Sequence, residues 1–351
     1  MRIALVAESL LPAVDGTTTT VKAVADRLID AGHDVQLIAM VPGLTSYRGS
    51  RVARVSPDGL SSRVRATLEE FRPDLVHVTS PGRIGRKALK HSRRMAVATV
   101  VVQQTPVTGV TTEYWRAKVA DRADRMLVTN PWMTTELERL GVGSTLWVPG
   151  VDSRAFTPQV RDPWLHDSWV RAKSADGPRV VVGYAGSLHR RHGVRHLPEL
   201  AVIPGHRLVV GEGPQRGWLE DRMPGAKFTG PLETGDFTRA LASMDAVVHP
   251  GTTETCCHAL REAAASGVPV AAPRAGGARH VVRHLKSGLL FDPGDRHGLR
   301  DAVAALVADR HRGLLGDRAR ELAQERDWCT AVDELLLDHY PRAFWRRPDA
   351  A

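Results

Sequence analysis

The sequence predicts an α/β protein of two doubly wound domains in tandem, each a parallel sheet flanked by helices. Three observations lead there. Short apolar runs alternate with stretches of helical periodicity from residue 2 to about residue 140. The periodicity fades between Pro149 and Pro178, and then the same alternation restarts, with strands that run into glycine turns. A chain of 351 residues also suits two cores of ordinary size better than one.

The first element is a buried strand, Arg2 to Ala7, leading into the turn Leu11-Pro12-Ala13-Val14-Asp15-Gly16. Thr17 to Thr20 open a helix with Val21, Val24, Ala25, Leu28 and Ile29 at helical spacing, and Gly32 stops it. Asp34 to Ala39 is the next strand. Strand, helix and strand in so short a span make a βαβ unit, which implies parallel pairing. A helix around Arg63 to Phe71 leads to strand Leu75 to Val78. Strands at Ala96 to Val102 and Arg125 to Val128 follow, and then a helix through Thr134 to Leu140. Pro149-Gly150-Val151-Asp152, Pro158, Asp162-Pro163-Trp164 and Asp176-Gly177-Pro178 have the composition of a linker. Beyond it, Arg179 to Gly186, His206 to Gly211, Ala246 to Pro250 and Val268 to Ala272 read as strands. Arg326-Asp327-Trp328 begins a last helix continued by Val332, Leu335, Leu336 and Tyr340. The expected division is residues 1–160, residues 161–328, and a terminal helix over 329–351. That helix either crosses back to the first domain, with Trp328 as its anchor, or packs on the second. Ligands belong at the carboxyl ends of both sheets and in the cleft between the domains.

Composition narrows the classes. The 42% hydrophobic and 25% charged fractions are those of a soluble globular protein. No apolar run has spanning length, and the N-terminal run, cut by Glu8, lacks signal-peptide architecture. A cytoplasmic location is expected. Cys256 and Cys257 are adjacent, and with Cys329 they suit neither a disulfide framework nor a zinc site. Cys329 reads as a small buried side chain. The net charge of +9 suits nucleic acid, an anionic membrane or an anionic small molecule. The basic residues read as scattered arginines, with Arg346-Arg347 the densest cluster, so nucleic acid is not expected. Peripheral contact with the inner membrane face stays open, against the alternative of a mere compositional bias toward arginine.

The stretch Thr252 to Pro269 carries the chemistry. A strand ending at Pro250 meets a helix whose N-terminus is expected near Thr255, and its first amides would seat a diphosphate. Glu254 precedes that helix and Glu262 lies two turns in, roughly 12 Å apart along the axis at most. Two carboxylates so placed can accept hydrogen bonds from two hydroxyl-bearing parts of one extended ligand, such as a sugar and a ribose. The alternative is that Glu254 merely complements the helix dipole while Glu262 is solvated.

Two further phrases weigh against that alternative: Pro273-Arg274-Ala275-Gly276-Gly277 and Gly288-Leu289-Leu290-Phe291-Asp292-Pro293-Gly294-Asp295. With them the sequence resembles glycosyltransferase family 4, in particular its GDP-mannose-dependent α-mannosyltransferase-like branch. The likeness covers nearly the whole chain. It includes Ala7-Glu8-Ser9 with Pro12 and Gly16, Pro73-Asp74-Leu75-Val76-His77 with Ser80-Pro81, and Gln104-Thr105. It continues through Arg122-Ala123-Asp124, Gly150-Val151-Asp152, Gly211-Glu212-Gly213-Pro214 and Pro224 to Gly230. The resemblance implies the GT-B arrangement of two facing Rossmann-like domains and transfer with retention of anomeric configuration. It implies neither cofactor nor metal, and no Asp-x-Asp stands at a strand end. By resemblance Glu262 would bind the donor ribose and Glu254 the transferred sugar. Lys227, Phe228 and Leu232 would flank the base. Gly186, Gly211, Gly213 and the backbone of Thr255 and Cys256 would line the donor pocket. Gly16, in the other domain, would let the backbone approach the diphosphate. Gln104, Thr105 and Tyr114 would lie on the acceptor side.

The departures from the family pattern are specific. The family's Gly-Arg-Leu and following lysine, cations that neutralise the leaving diphosphate, are here Gly186-Ser187-Leu188 and His192. Losing both without replacement would cost orders of magnitude in rate. Arg190 and Arg191 are the expected replacements, with a solvated pair of loop arginines the alternative. Cys256-Cys257-His258 replaces Phe-Gly and a polar residue, and Cys257 adds a side chain that would narrow the choice of sugar. Pro106 stands at an aspartate position, and the surrounding loops are short, which points to an altered acceptor. His77 reads as a core residue, while His249 could face the cleft. No protein base is assigned, because the leaving phosphate would itself help deprotonate the acceptor.

The leading expectation is therefore a retaining hexosyltransferase with a nucleotide-sugar donor, GDP-mannose before a UDP-sugar. The acceptor would be a small molecule or a lipid. A catalytically weak sugar-nucleotide-binding or partner protein is the alternative, motivated by Ser187 and His192, and a GT-B epimerase is a third.

Overall fold

Apolar runs that bury both of their faces become the inner strands of two sheets. A computed structural model describes residues 1–12, 15–170 and 179–345. Ala13 and Val14 of the first turn, Asp176-Gly177-Pro178 and Arg346-Arg347 lie outside the described residues. The chain divides into two units. One is Met1–Pro149 together with the segment from Trp328, and the other is Gly150–Asp327.

The first unit holds β1 (Arg2–Ala7), β2 (Asp34–Met40), β3 (Ser46–Tyr47), β4 (Ser50–Val55), β5 (Leu75–Thr79), β6 (Ala98–Gln103), β7 (Arg125–Val128) and β8 (Thr145–Leu146). They form one eight-stranded sheet in the order β3-β4-β2-β1-β5-β6-β7-β8. Pairing is parallel except in the β3–β4 hairpin. The chain builds outward from β1 on one side and then crosses to β5 on the other, so the strand order reverses between β1 and β5. After β1, Asp15 caps the helix Gly16–Asp30: its carboxylate accepts from the Thr18 amide while Thr18 Oγ1 accepts from the Asp15 amide.

The segment after Trp328 completes this unit. Ala331, Val332, Leu335, Tyr340 and Ala343 join the core formed by β1, β2 and the helix Gly16–Asp30. The indole of Trp147 donates to the Ala331 carbonyl at 2.8 Å, and Arg27 holds Asp333 with two hydrogen bonds of 2.8 Å. Trp328 packs 6.5 Å from Trp147, ring centre to ring centre. His77 is fully buried and pairs with the Tyr340 hydroxyl at 2.8 Å. Burial lowers its pKa to about 3, so it is a neutral core residue. Cys329, expected to be buried, is exposed. The helix Trp328–Glu334 turns Ala331 and Val332 inward and so leaves Cys329 outside.

The second unit holds β9 (Val181–Ala185), β10 (His206–Val210), β11 (Lys227–Gly230), β12 (Ala246–Val248), β13 (Val270–Pro273) and β14 (Gly288–Phe291). The order is β11-β10-β9-β12-β13-β14, all parallel. The expected boundary at residue 160 moves to Pro149, because Val151 and Phe156 pack into the core of the second unit with the helix Pro163–Val170. The strands β3, β4, β8, β11 and β14 were absent from the sequence-based expectation. Each is two to six residues long, too short or too polar to carry a clear alternation.

Candidate active site

In the second unit the strand order reverses between β9 and β12, and the loops that leave these two strands meet at that point. Every residue of β9 is buried. Gly186 follows with φ +148°, and its amide donates to the Val210 carbonyl at 3.0 Å. Gly211 and Gly213 have φ of +134° and +158°. A Cβ on Gly211 would stand 2.0 Å from the Gly186 carbonyl oxygen, and one on Gly213 would stand 2.8 Å from the Leu188 backbone. These glycines therefore let two loops touch backbone to backbone, which fixes the Gly186–Leu188 turn. Ser187 is exposed, and its carbonyl accepts from the Tyr184 hydroxyl at 2.9 Å.

The chain then makes one 3₁₀ turn, Arg190–His192, and Gly193 lies against the carbonyl of Pro250. This contact brings His192 to Glu254. His192 Nδ1 is 2.5 Å from Glu254 Oε1. On the other edge of the imidazole, Arg191 Nε donates to His192 Nε2 at 3.2 Å. Arginine can only donate, so Nε2 is the acceptor and the proton on Nδ1 goes to Glu254. A second imidazole, that of His249, lies on the same carboxylate oxygen, with Nε2 at 3.4 Å. The His249 ring is buried and stacks on Tyr184, 6.3 Å between centres and 5° from parallel. Burial alone would raise the Glu254 carboxyl, but the hydrogen bond from His192 and the imidazole of His249 beside it outweigh burial and hold the group well below the usual carboxylate range. Glu254 is an anion throughout the neutral range.

The loop that carries Glu254 is backed by the glycine phrase after β13. The Gly277 amide donates to the Glu254 carbonyl at 2.7 Å, and a Cβ on Gly277 would stand 2.7 Å from the Thr255 carbonyl oxygen. The helix begins at His258, three residues later than expected, because Cys257 takes the left-handed conformation at φ +55°. A positive φ at this position is one that glycine adopts without strain, so the glycine expected there from the resemblance has a backbone reason apart from any donor. Thr255 is half-buried and Cys256 and Cys257 are buried. Burial and the charge of Glu254 push the Cys257 thiol far above its ordinary range, so it is an unreactive packing group.

Glu262 lies in the helix His258–Ala265, half-buried, and its carboxylate has no hydrogen-bond partner among the described residues. Burial pushes its pKa up to about 7. The second unit thus holds one carboxylate that stays ionised and another, without a hydrogen-bond partner among the described residues, poised near neutrality, a contrast that marks a candidate functional site. Lys227 is exposed at the start of β11, while Phe228 and Leu232 are half-buried against the unit's core. Arg190 is exposed and makes no side-chain hydrogen bond or ion pair among the described residues.

The remaining candidates belong to the first unit. Gly16 is exposed in the first turn of the helix after β1. Gln104 is buried and Thr105 exposed just past β6, with Gln103 Nε2 donating to the Thr105 carbonyl at 2.6 Å. Tyr114 is exposed on the helix Thr112–Lys118. Two contributors escaped the sequence reading. His249 as a partner of Glu254 was signalled only by a histidine at the end of an apolar strand. Glu8 accepts from the amides of Ile84 and Gly85 at 2.9 and 3.2 Å, so the Ala7-Glu8-Ser9 phrase closes the start of the helix Arg83–Arg94.

Fold and site together define a glycosyltransferase. Residues 14–154 match the family described as Glycosyltransferase Family 4, and residues 179–309 match Glycosyl transferases group 1. A GDP-mannose-dependent alpha-mannosyltransferase of Mycolicibacterium smegmatis is 38% identical over 99% of this chain and 99% of its own. The chain belongs to this glycosyltransferase family. Sucrose-phosphate synthase of Thermosynechococcus elongatus shares the fold, with a TM-score of 0.79 at 20% identity over 99% of this chain and 100% of its own. So does Anabaena HepE, crystallised with UDP-glucose, with a TM-score of 0.81 at 20% identity over 97% of this chain and 100% of its own. The fold is GT-B.

Proposed function

We propose that this glycosyltransferase moves a hexose, mannose from GDP-mannose before any UDP-sugar, to the hydroxyl of a small-molecule or lipid acceptor, with retention and without a metal. The carrying observation is the carboxylate pair. Glu254 is held ionised by two imidazoles, and Glu262 stands half-buried with no donor to accept from among the described residues. Glu254 would fix the donor sugar hydroxyls and Glu262 the ribose. Similarity to the mannosyltransferase favours GDP-mannose. Neutralisation of the leaving diphosphate would fall to cationic side chains. Arg191 is the better placed cation, since it reaches the Glu254 constellation through His192, whereas Arg190 projects into solvent. Peripheral contact with an anionic membrane accompanies the lipid-acceptor reading, and the net charge of +9 supports it.

The test is donor turnover by the purified protein across GDP- and UDP-sugars, with NMR of the product anomer and an EDTA control. GDP-mannose should turn over with its α configuration retained, with or without EDTA. Glu254→Gln should lower kcat on the order of 100-fold. Glu262→Ala should act mainly on the donor KM, and Arg191→Ala should cost more than Arg190→Ala. Tight donor binding without turnover would instead favour a binding protein, the reading that Ser187 and His192 motivate.

A further inference from the structure

We propose that the first unit carries a second ligand site, a cleft that binds two or more adjacent phosphate groups and is independent of the carboxylate pair. The cleft encloses about 870 Å³ on the helical face of the unit. Eight lysine and arginine side chains line it and no carboxylate does. One wall is the helix Arg83–Arg94, whose Arg83, Lys87, Lys90 and Arg94 recur at intervals of four, three and four residues and so share one face. Lys118 and Arg122 close the opposite side. None of these six pairs with an Asp or Glu among the described residues, and Arg122 reaches only the Arg86 carbonyl, at 3.5 Å.

The rest of the lining suits an anion as well. The helix Leu60–Phe71 starts at the cleft after Gly59 with no side-chain cap; the Leu60 amide donates to the Pro57 carbonyl at 3.4 Å, and the amides of Ser61 and Ser62 are the ones left for a ligand. The Tyr114 ring lies under Arg86 and Lys118, at 5.7 and 5.8 Å, and holds those two cations apart. Beneath, the buried His91 is fixed by the Ser61 hydroxyl at 3.0 Å.

Such an arrangement works against the bare fold. Like charges three and four residues apart repel, and cations in the first turn oppose the helix dipole. The neighbouring Arg94, Lys87, Arg122 and Lys118 accordingly lower the pKa of Lys90. A multiply charged anion removes this repulsion. Phosphate groups bring close to two charges each at neutral pH and fit the guanidinium fork. A carboxylate brings one.

The phosphates could be those of a soluble metabolite or of a lipid headgroup, and the two sources are separable. Inorganic tripolyphosphate is titrated calorimetrically into the full chain with saturating GDP present to occupy the donor pocket. Flotation is run in parallel on phosphatidylcholine vesicles containing phosphatidylinositol bisphosphate, with phosphatidylserine vesicles matched for charge. The Lys87→Ala/Lys90→Ala variant should bind tripolyphosphate at least about tenfold more weakly, equivalent to about 1.4 kcal/mol, with donor turnover and the circular dichroism spectrum unchanged. Tripolyphosphate binding without flotation supports the site and assigns a soluble ligand. Flotation on the bisphosphate vesicles that the variant loses supports the site and assigns a headgroup. Equal affinity in wild type and variant, no saturable binding of either probe, or binding of a short RNA in place of tripolyphosphate would overturn it.

Discussion

Glu262 shows most directly how an unsatisfied group couples stability to pH. Its folded pKa is raised from 4.5 to about 7, so the folded state holds its proton more tightly than the unfolded chain does. The stability this gives is fully present below pH 4.5 and is lost as the pH rises through about 7. Glu262→Gln should therefore melt higher than wild type at pH 8, by about 1–2 kcal/mol after allowing for half-burial, and about equally at pH 4. Thermal melts at the two pH values check this, and a variant less stable at pH 8 would contradict it. The same substitution should weaken donor binding, the exchange expected of a functional residue. Glu254 itself was legible in the sequence by its place between a strand end and a helix. His192 and His249 were marked as candidates at the cleft, but their pairing with Glu254 was not legible, because they are 62 and 5 residues away from it and meet it only where β9 and β12 lie side by side.

Single glycines decide the geometry of the loops. Gly211 was expected to serve the donor, and the fold gives it a prior duty: its missing side chain allows the turn after β10 to touch the turn after β9. Gly211→Ala should destabilise by at least about 2 kcal/mol, from both the left-handed φ and the backbone clash. A lowered Tm together with a raised donor KM would be the signature, and an unchanged Tm would refute the backbone contact. The glycine turns could be found in sequence because glycine is the residue such a φ demands. The basic wall could not. Arg83, Lys87, Lys90 and Arg94 are interleaved with the buried Ile84, Ala88 and Leu89 and so look scattered until the helix is wound.

The chain as a whole is two units with a shared seam of sequence rather than two consecutive beads. Ala331, Val332, Leu335, Tyr340 and Ala343 supply the first unit's core from beyond the second. Ending the chain at Asp327 should abolish the first unit's cooperative melt while leaving a transition for residues 150–327. Several fully buried side chains, at about 1.5–3 kcal/mol for each large one, rival the whole stability of a domain. Calorimetry of the truncated chain would show one transition where the full chain requires both units to unfold.

The hydrogen bond between His77 and Tyr340 spans 263 residues of sequence. On the ribosome the first 149 residues emerge early, yet the tyrosine that closes their core is translated after the entire second unit. Residues 150–327 form an uninterrupted unit and can close as soon as they emerge. The order of synthesis is thus the reverse of the order of completion, and the core around β1 and β2 closes only after the segment from Trp328 has been made.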